Sequence, residues 1–147
     1  MSIDNNLYEK SIKILTDLIA FKTISGQDNS NLIDYCENIL NNIGIDTFKV
    51  YDDDKKRVNL FGTLKAKNQS SKKPIILSGH TDVVPVSKGW SSDPFVATIK
   101  NDKLYGRGSC DMKGFIACTL AYAPIFKESN LDRDCLLYTS DAADDRV

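Results

Sequence analysis

The stretch PIILSGHTDVVPV, residues 74–86, decides the fold class that we predict for this chain. Residues 74–77 form a continuous apolar run, which is typical of a strand covered on both faces in the middle of an α/β sheet. The run leads into His80, which is the only histidine of the sequence. Because ligands usually bind at the carboxyl ends of the strands in such sheets, we expect His80 and Asp82 to lie at a ligand-binding edge.

Two helices are predicted before this strand. Apolar residues recur at helical spacing over residues 5–21 and again over residues 32–43, so each helix should bury one face. The polar residues 23–30 between them, which include Ser25 and Gly26, predict a loop. Gly44 directly follows the second apolar stripe, where a left-handed residue commonly ends a helix.

Two hairpins, a third helix and one more strand complete the predicted elements. Short β-rich runs around a charged turn predict a hairpin over residues 45–64, and the Asn-Asp pair within residues 96–105 predicts a second one. Residues 112–127 are rich in alanine and large apolar residues, as in a buried helix, and Pro124 should kink or shorten it near its end. The apolar residues 135–139 predict one more buried strand.

Composition and charge are those of an ordinary globular domain. Of the 147 residues, 41% are hydrophobic and 27% are charged, and the net charge is −1, so we expect neither nucleic acid nor a membrane as a partner. No apolar run reaches the roughly 20 residues that span a bilayer, and the N-terminus lacks a signal-peptide pattern, so we expect a cytoplasmic protein. The succession of elements predicts one α/β domain with αβα layers around a mixed sheet.

The four cysteines contain no Cys-x-x-Cys pair that would hold a zinc ion or form a redox disulfide. Their wide and irregular spacing predicts reduced, mostly buried thiols. For Cys110 we expect only that it fills space, because a free cysteine usually behaves as a small hydrophobic residue.

The residues alone leave the roles of His80 and Asp111 open. A neutral imidazole at His80 could bind zinc while Asp82 holds its other ring nitrogen, but a lone histidine is more often a structural residue than a ligand. In LYGRGSCDMKG, residues 104–114, Asp111 falls near a predicted helix N-terminus, where it could cap the helix or bridge metal ions. Dinucleotide binding is excluded because its Gly-x-Gly-x-x-Gly fingerprint would need glycine at position 111.

Three ordered blocks resemble the co-catalytic metallopeptidase family that contains acetylornithine deacetylase, succinyl-diaminopimelate desuccinylase, aminoacylase and related carboxypeptidases. The blocks are residues 78–85, 90–95 and 105–114, and the similarity extends from Leu7 to about Tyr138. The residues of these blocks are most similar to those of the acetylornithine deacetylase branch. The resemblance implies the catalytic domain of a zinc peptidase, and we expect the block at 90–95 to be a surface turn with a packing role.

The resemblance also implies the site and its chemistry. His80 would bind one metal ion, Asp111 would bridge two, and Asp82 would orient His80 and tune its basicity. The implied metal is Zn²⁺, two ions in an intact site, with Co²⁺ able to replace it. The implied reaction is deacetylation of N²-acetyl-L-ornithine to L-ornithine and acetate in arginine biosynthesis by a homodimer. Succinyl-diaminopimelate desuccinylase or another N-acyl-amino-acid hydrolase is the alternative.

The end of the chain departs from the family pattern. A general-base glutamate is expected in an Asp-Glu-Glu motif about thirty residues beyond Asp111, but residues 140–147 read SDAADDRV and no glutamate follows Glu128. Asp144 and Asp145 could be shortened substitutes. We expect that the sequence from about residue 139 is not the natural continuation and that residues 1–147 are an N-terminal part of the catalytic domain without deacetylase activity. A non-catalytic binding module of the same fold is the alternative from another class.

Overall fold

A computed structural model describes residues 5–68 and 71–140 of the chain. In chain order the elements are α1 (Asn5–Ala20), α2 (Ser30–Asn42), β1 (Asp46–Tyr51), β2 (Val58–Leu64), β3 (Ile75–His80), β4 (Thr98–Lys100), β5 (Lys103–Tyr105), a π-helical turn (Ser109–Lys113), α3 (Gly114–Glu128) and β6 (Cys135–Ser140). No helix in the described ranges is both long enough and apolar enough to cross a bilayer.

Four strands form one mixed sheet in the order β1-β2-β6-β3. The β1–β2 and β2–β6 pairs are antiparallel, whereas β3 and β6 are parallel and are connected through α3. Strands β4 and β5 form a separate antiparallel hairpin. The predicted α/β class, the mixed sheet and both hairpins are therefore confirmed.

The position of β3 corrects one prediction. Among the described residues β3 is an edge strand, and its Ile75 and Ile76 are 49% and 58% exposed, so this strand is not covered on both faces. The central position next to it belongs to β6, where Cys135 and Leu137 are buried. The apolar run predicts a strand but not its place in the sheet, because the order of strands depends on how the connections between them cross over.

The core lies between one face of the sheet and the helices. Residues of β2 alternate between buried and half-buried positions, as expected for a strand with one face on the core. The main buried side chains are Ile14 and Leu18 of α1, Leu32, Ile33, Cys36 and Leu40 of α2, Leu60 of β2, Ile116 and Leu120 of α3, and Leu137 of β6. Each large apolar side chain of this kind contributes about 1.5–3 kcal/mol when fully buried.

The other face of the sheet carries an aromatic ladder. Phe48, Phe61 and Tyr138 stack across β1, β2 and β6, with ring centroids 4.7 and 4.4 Å apart. Phe48 is nevertheless 55% exposed and Val50 is 45% exposed. The described helices therefore cover the sheet from one side.

The helix predictions hold to within two residues. Helix α1 ends at Ala20, and Gly44 follows α2 with a φ of +67°, as its predicted role requires. Helix α3 begins at Gly114 because the preceding residues form the π-helical turn. It continues to Glu128, four residues beyond Pro124, so the proline does not shorten it.

The cysteine prediction is wrong for two of the four thiols. Cys36 and Cys135 are buried, but Cys110 and Cys118 are exposed, and all four are free. Burial raises the pKa of the Cys36 thiol to about 12. Cys110 does not fill interior space because the π-helical turn faces a surface pocket.

Asn29 joins the start of α2 to β2 and to the residue that follows β3. Its side chain is buried, its amide donates to the Val58 carbonyl at 3.0 Å and to Thr81 Oγ1 at 3.1 Å, and its Oδ1 accepts from the Val58 N–H at 2.8 Å. One side chain thus satisfies both backbone polar groups of Val58 in a buried place.

Replacement of Asn29 by alanine should destabilise the fold by about 2–3 kcal/mol, because it leaves buried donors and acceptors without partners. Urea unfolding followed by circular dichroism measures this loss. Asn42, which is exposed at the end of α2, is the matched control, and Asn42→Ala should change the unfolding free energy by less than about 0.5 kcal/mol. Equal losses in the two variants would contradict the assigned role of Asn29.

Candidate metal centre

A pocket of about 630 Å³ opens where β3 ends and where the segment between β5 and α3 passes over it. The carboxyl end of β3 faces this pocket, which is the usual position for a ligand site in an α/β sheet. The lining residues come from three parts of the chain, namely Ser25, then His80 and Asp82–Pro85, and finally Gly106–Asp111.

His80 and Asp111 meet at this pocket. His80 Nε2 lies 2.9 Å from Asp111 Oδ1, although the two residues are 31 positions apart in the sequence. The side chain of His80 is 24% exposed and that of Asp111 is 88% exposed. An imidazole nitrogen and a carboxylate oxygen therefore face each other at a place that solvent can reach.

Asp82 lies beneath His80 and contacts it in two ways. His80 Nδ1 is 3.0 Å from the backbone carbonyl oxygen of Asp82 and 3.4 Å from its Oδ1. A carbonyl oxygen only accepts hydrogen bonds, so His80 Nδ1 carries a proton and donates a hydrogen bond to the carbonyl of Asp82. This bond fixes the ring and leaves Nε2 as the nitrogen that faces the pocket.

The carboxylate of Asp82 is buried and only partly satisfied. Its Oδ2 accepts a hydrogen bond of 2.7 Å from Ser25 Oγ, whereas its Oδ1 is buried without a hydrogen-bond partner among the described residues. Such an atom beside an imidazole stabilises positive charge on the ring. The carboxylate is therefore placed to act on His80 by its charge rather than by a short hydrogen bond.

The surroundings of His80 shift its pKa upward. Burial by itself lowers the pKa of His80, but the hydrogen bonds to Asp111 and to the Asp82 carbonyl and the charges of both carboxylates outweigh it. The folded chain consequently binds the proton of the charged His80 ring more tightly than the unfolded chain does. The contribution of this protonation to the stability of the fold is fully present below the ordinary histidine pKa of about 6.5. It is lost as the pH rises through the raised pKa of His80.

Asp111 does not cap a helix. Its φ of −128° and ψ of 93° are not helical, and α3 begins three residues later without a side-chain cap. The turn before it depends on Gly108, which has a φ of +81° and would place an added Cβ 2.6 Å from Val83 Cγ1. This close approach brings the turn that carries Asp111 against the loop that carries Asp82.

The segment that follows α1 supports the site, although residues 23–30 are predicted only as a loop. The Val83 N–H donates to the Thr23 carbonyl at 2.8 Å, and the Ser25 N–H donates to the Val83 carbonyl at 3.0 Å. Thr23 Oγ1 also donates to the Thr81 carbonyl at 2.6 Å. These contacts join residues almost sixty positions apart, so local sequence patterns do not identify them.

Lys113 is a further residue that local patterns do not identify. Its side chain is fully buried, and burial lowers its pKa to about 8 although the charge of the Asp82 carboxylate opposes this shift. Lysine is almost never fully buried unless it is paired, so its position two residues after Asp111 is unusual. The only available sequence signal is its place in the block 105–114.

The block at residues 90–95 has packing contacts. The Trp90 ring lies 5.2 Å from the guanidinium of Arg107, and Arg107 Nη2 donates to the Pro85 carbonyl at 3.3 Å. The Phe95 ring lies 5.6 Å from Lys22 Nζ. These contacts hold one wall of the pocket, as expected for a surface turn with a packing role.

The donor atoms fit part of a metal site. An imidazole nitrogen and a carboxylate oxygen are ligand types that zinc accepts, and His80 Nε2 and Asp111 Oδ1 lie 2.9 Å apart. Within residues 5–68 and 71–140, no group of three or more His, Cys, Asp or Glu side chains is arranged to hold a metal ion. The possible substitutes Asp144 and Asp145 lie outside the described residues.

The fold is that of known peptidase catalytic domains. Human carnosine dipeptidase 1 matches 98% of this chain with a TM-score of 0.76 and 22% identity, and the match covers 34% of that protein. A Bacillus subtilis protein described as a dinuclear metal binding peptidase from the M20 family matches 93% of the chain with a TM-score of 0.65 and 16% identity, over 36% of its own length. At these identities the likeness concerns the fold.

Sequence comparison finds similarity to one peptidase family. Residues 76–139 match the model of the peptidase family M20/M25/M40. A succinyl-diaminopimelate desuccinylase of Rickettsia akari is 38% identical over 81% of this chain, and an acetylornithine deacetylase of Myxococcus xanthus is 40% identical over 72% of it. These findings support the M20 peptidase family for this chain. The chain spans about a third of the length of these relatives, 32% and 28%.

The single histidine allows a direct test of the pair without metal. In the metal-free chain, the imidazole of His80 should titrate above its ordinary pKa of about 6.5, and Asp111→Asn should lower that pKa because it removes a negative charge and a charged acceptor. Titration by NMR follows one imidazole signal. Asp54→Asn, in the exposed turn between β1 and β2, is the control and should leave the curve unchanged. A curve that is also unchanged in Asp111→Asn would show that the pair does not form.

Proposed function

We propose that the protein to which this chain belongs is an amidohydrolase that cleaves N-acyl amino acids at a divalent metal centre, and that His80 and Asp111 are two of the metal ligands. The observation that supports this most directly is the 2.9 Å approach of His80 Nε2 to Asp111 Oδ1 in the pocket at the end of β3. The match to the M20 family model includes both proposed ligands and β3 from Ile76 onward.

The metal that we propose is Zn²⁺, with two ions in the intact site and Co²⁺ as a possible replacement. When bound, such a centre would polarise the substrate carbonyl and lower the pKa of water to about 7, which supplies a nucleophile at neutral pH. His80 Nε2 is free to bind one ion once its proton leaves, while Nδ1 keeps its bond to Asp82. Asp111 would hold metal through its carboxylate, since its side chain is 88% exposed and can be reached from solvent.

Asp82 contributes to this centre without being a ligand in the proposal. Its carbonyl oxygen sets the tautomer of His80, and its buried carboxylate makes the imidazole a stronger base. Ser25 in turn holds that carboxylate. The general base that the reaction also needs is not among the residues assigned here, and residues 141–147, where the family motif would begin, lie outside the described residues.

Two substrates fit the proposal. Deacetylation of N²-acetyl-L-ornithine is supported by the residues of the three sequence blocks and by the relative named acetylornithine deacetylase. Desuccinylation of succinyl-diaminopimelate is supported at least as well, because several relatives carry that name, including those of Rickettsia akari and Orientia tsutsugamushi. We further propose a cytoplasmic homodimer for the intact enzyme, and residues 1–147 as an N-terminal part of its catalytic domain.

The isolated chain should bind Zn²⁺ weakly, because catalytic zinc sites use three protein ligands and the described residues bring two together. Calorimetric titration with Zn²⁺ should show affinity losses of more than about tenfold, or 1.4 kcal/mol, for His80→Asn and Asp111→Asn. The exposed Asp54→Asn is the control and should bind like the unaltered chain. Binding that persists in both ligand variants would contradict the assignment.

The natural full-length enzyme decides between the two substrates. We expect metal-dependent release of acetate from N²-acetyl-L-ornithine or of succinate from succinyl-diaminopimelate, and the ratio of kcat/KM for the two compounds identifies the activity. A chelator should abolish the hydrolysis, and Zn²⁺ or Co²⁺ should restore it. If the metal-loaded enzyme hydrolyses neither of these compounds but another N-acyl amino acid, the alternative hydrolase is correct, and if it hydrolyses no N-acyl amino acid, the alternative of a non-catalytic binding module gains support.

A further inference from the structure

Lys113 reaches through the interior to the end of helix α1. Its Nζ donates hydrogen bonds of 2.9 Å to the Leu18 carbonyl and 2.7 Å to the Phe21 carbonyl. The last carbonyls of a helix lack the N–H partner that a further turn would supply, and they carry the negative end of the helix dipole. The Leu18 carbonyl lies in the last turn of α1 and the Phe21 carbonyl directly after it, and each accepts one backbone N–H besides the lysine. A buried ammonium is therefore well placed there, and the side chain has no exposed surface.

The same residue also closes the turn that carries Asp111. The Lys113 N–H donates to the Gly108 carbonyl at 2.9 Å, and the Ser109 N–H donates to the Gly106 carbonyl at 3.1 Å. The turn from Gly108 to Lys113 is thus tied at its base by the backbone and anchored to α1 by the lysine side chain. Asp111 lies within this turn, two residues before the anchor.

The other half of the candidate site is attached to the same end of α1. Backbone hydrogen bonds join Thr23 and Ser25 to Val83, and Ser25 Oγ holds the carboxylate of Asp82. The loop after His80 and the turn with Asp111 therefore share one support, namely residues 18–25. The distance between the two proposed ligands depends on both attachments.

We propose that Lys113 is a positioning residue of the metal centre: its ammonium, bonded to the end of α1, sets where Asp111 stands relative to His80. This inference rests on the proposed function for its metal readout. It predicts that the loss of the ammonium weakens metal binding and loosens the His80–Asp111 contact by more than the accompanying loss of stability explains. A merely structural lysine would affect stability alone.

Lys113→Met tests this proposal, because methionine nearly matches the aliphatic stem and removes the three donors. The control is Leu40→Ala, which destabilises the core from α2, an element that contributes no residue to the turn of Asp111 or to the hydrogen bonds of Lys113. Urea unfolding ranks the two variants by stability. Co²⁺ affinity and the visible spectrum of bound Co²⁺ then report on the site, and Lys113→Met should bind about tenfold more weakly or worse, with an altered spectrum, while Leu40→Ala binds as the unaltered chain does.

A metal-free measurement separates this inference from the proposed function. Exchange of the His80 Nε2 proton with water, followed by NMR in the metal-free chain, should be faster in Lys113→Met because its hydrogen bond to Asp111 is loosened, and unchanged in Leu40→Ala. If the unaltered chain binds no Co²⁺, the assignment of His80 and Asp111 as metal ligands in this chain fails, while this exchange still decides the role of Lys113. If Lys113→Met does not fold, Lys113→Gln, which keeps one donor group, replaces it in both measurements. Equal Co²⁺ affinity and equal exchange in the lysine variant and in Leu40→Ala would overturn the proposal.

Discussion

The attachment of two distant segments to the end of helix α1 is the constraint on which the pocket depends. Thr23 and Ser25 form backbone hydrogen bonds with Val83 in the loop after β3. The ammonium of Lys113 donates to the Leu18 carbonyl in the last turn and to the Phe21 carbonyl directly after it. Both supports fix the backbone beside the two residues, so His80 and Asp111 meet although they are 31 positions apart in the sequence. Ligands that are already held in place lose little freedom when an ion binds.

The state of His80 shows how such a support becomes chemistry. Both of its ring nitrogens face acceptors, since Nδ1 meets the Asp82 carbonyl and Nε2 meets Asp111. In the metal-free chain this favours the charged ring and raises its pKa. A cation at Nε2 would take the place of that proton, so the same two acceptors that favour the proton also favour a metal ion. Protons and metal ions should therefore compete at this residue.

Much of the fold could be predicted from local sequence because local physics determines it. The apolar stripes specify α1 and α2, Gly44 takes the left-handed conformation that ends α2, and Asn101 and Asp102 both adopt positive φ in the tight turn between β4 and β5. The edge position of β3 could not be predicted in this way, since the strand order follows from a crossover rather than from the apolar run itself. The exposure of Cys110 likewise follows from a π-helical turn that has no clear local pattern.

The candidate site likewise contains residues that the local sequence identifies and residues that it does not. His80, Asp82 and Asp111 stand out because of their residue types and their blocks, whereas Ser25 and Lys113 act through contacts with residues 57 to 95 positions away. The aromatic face of the sheet remains uncovered in the described residues, and the chain spans about a third of its relatives. The site described here is accordingly one part of the centre that we propose for the whole enzyme.

X-ray absorption at the zinc edge of the Zn²⁺-loaded chain is the sharpest test of His80 and Asp111 as metal ligands, because it identifies the atoms that surround the ion. We expect nitrogen and oxygen atoms at about 2.0–2.2 Å from the zinc, with the scattering pattern of one imidazole. Sulfur at about 2.3 Å, as from the exposed Cys110 or Cys118, or a spectrum without imidazole would contradict it.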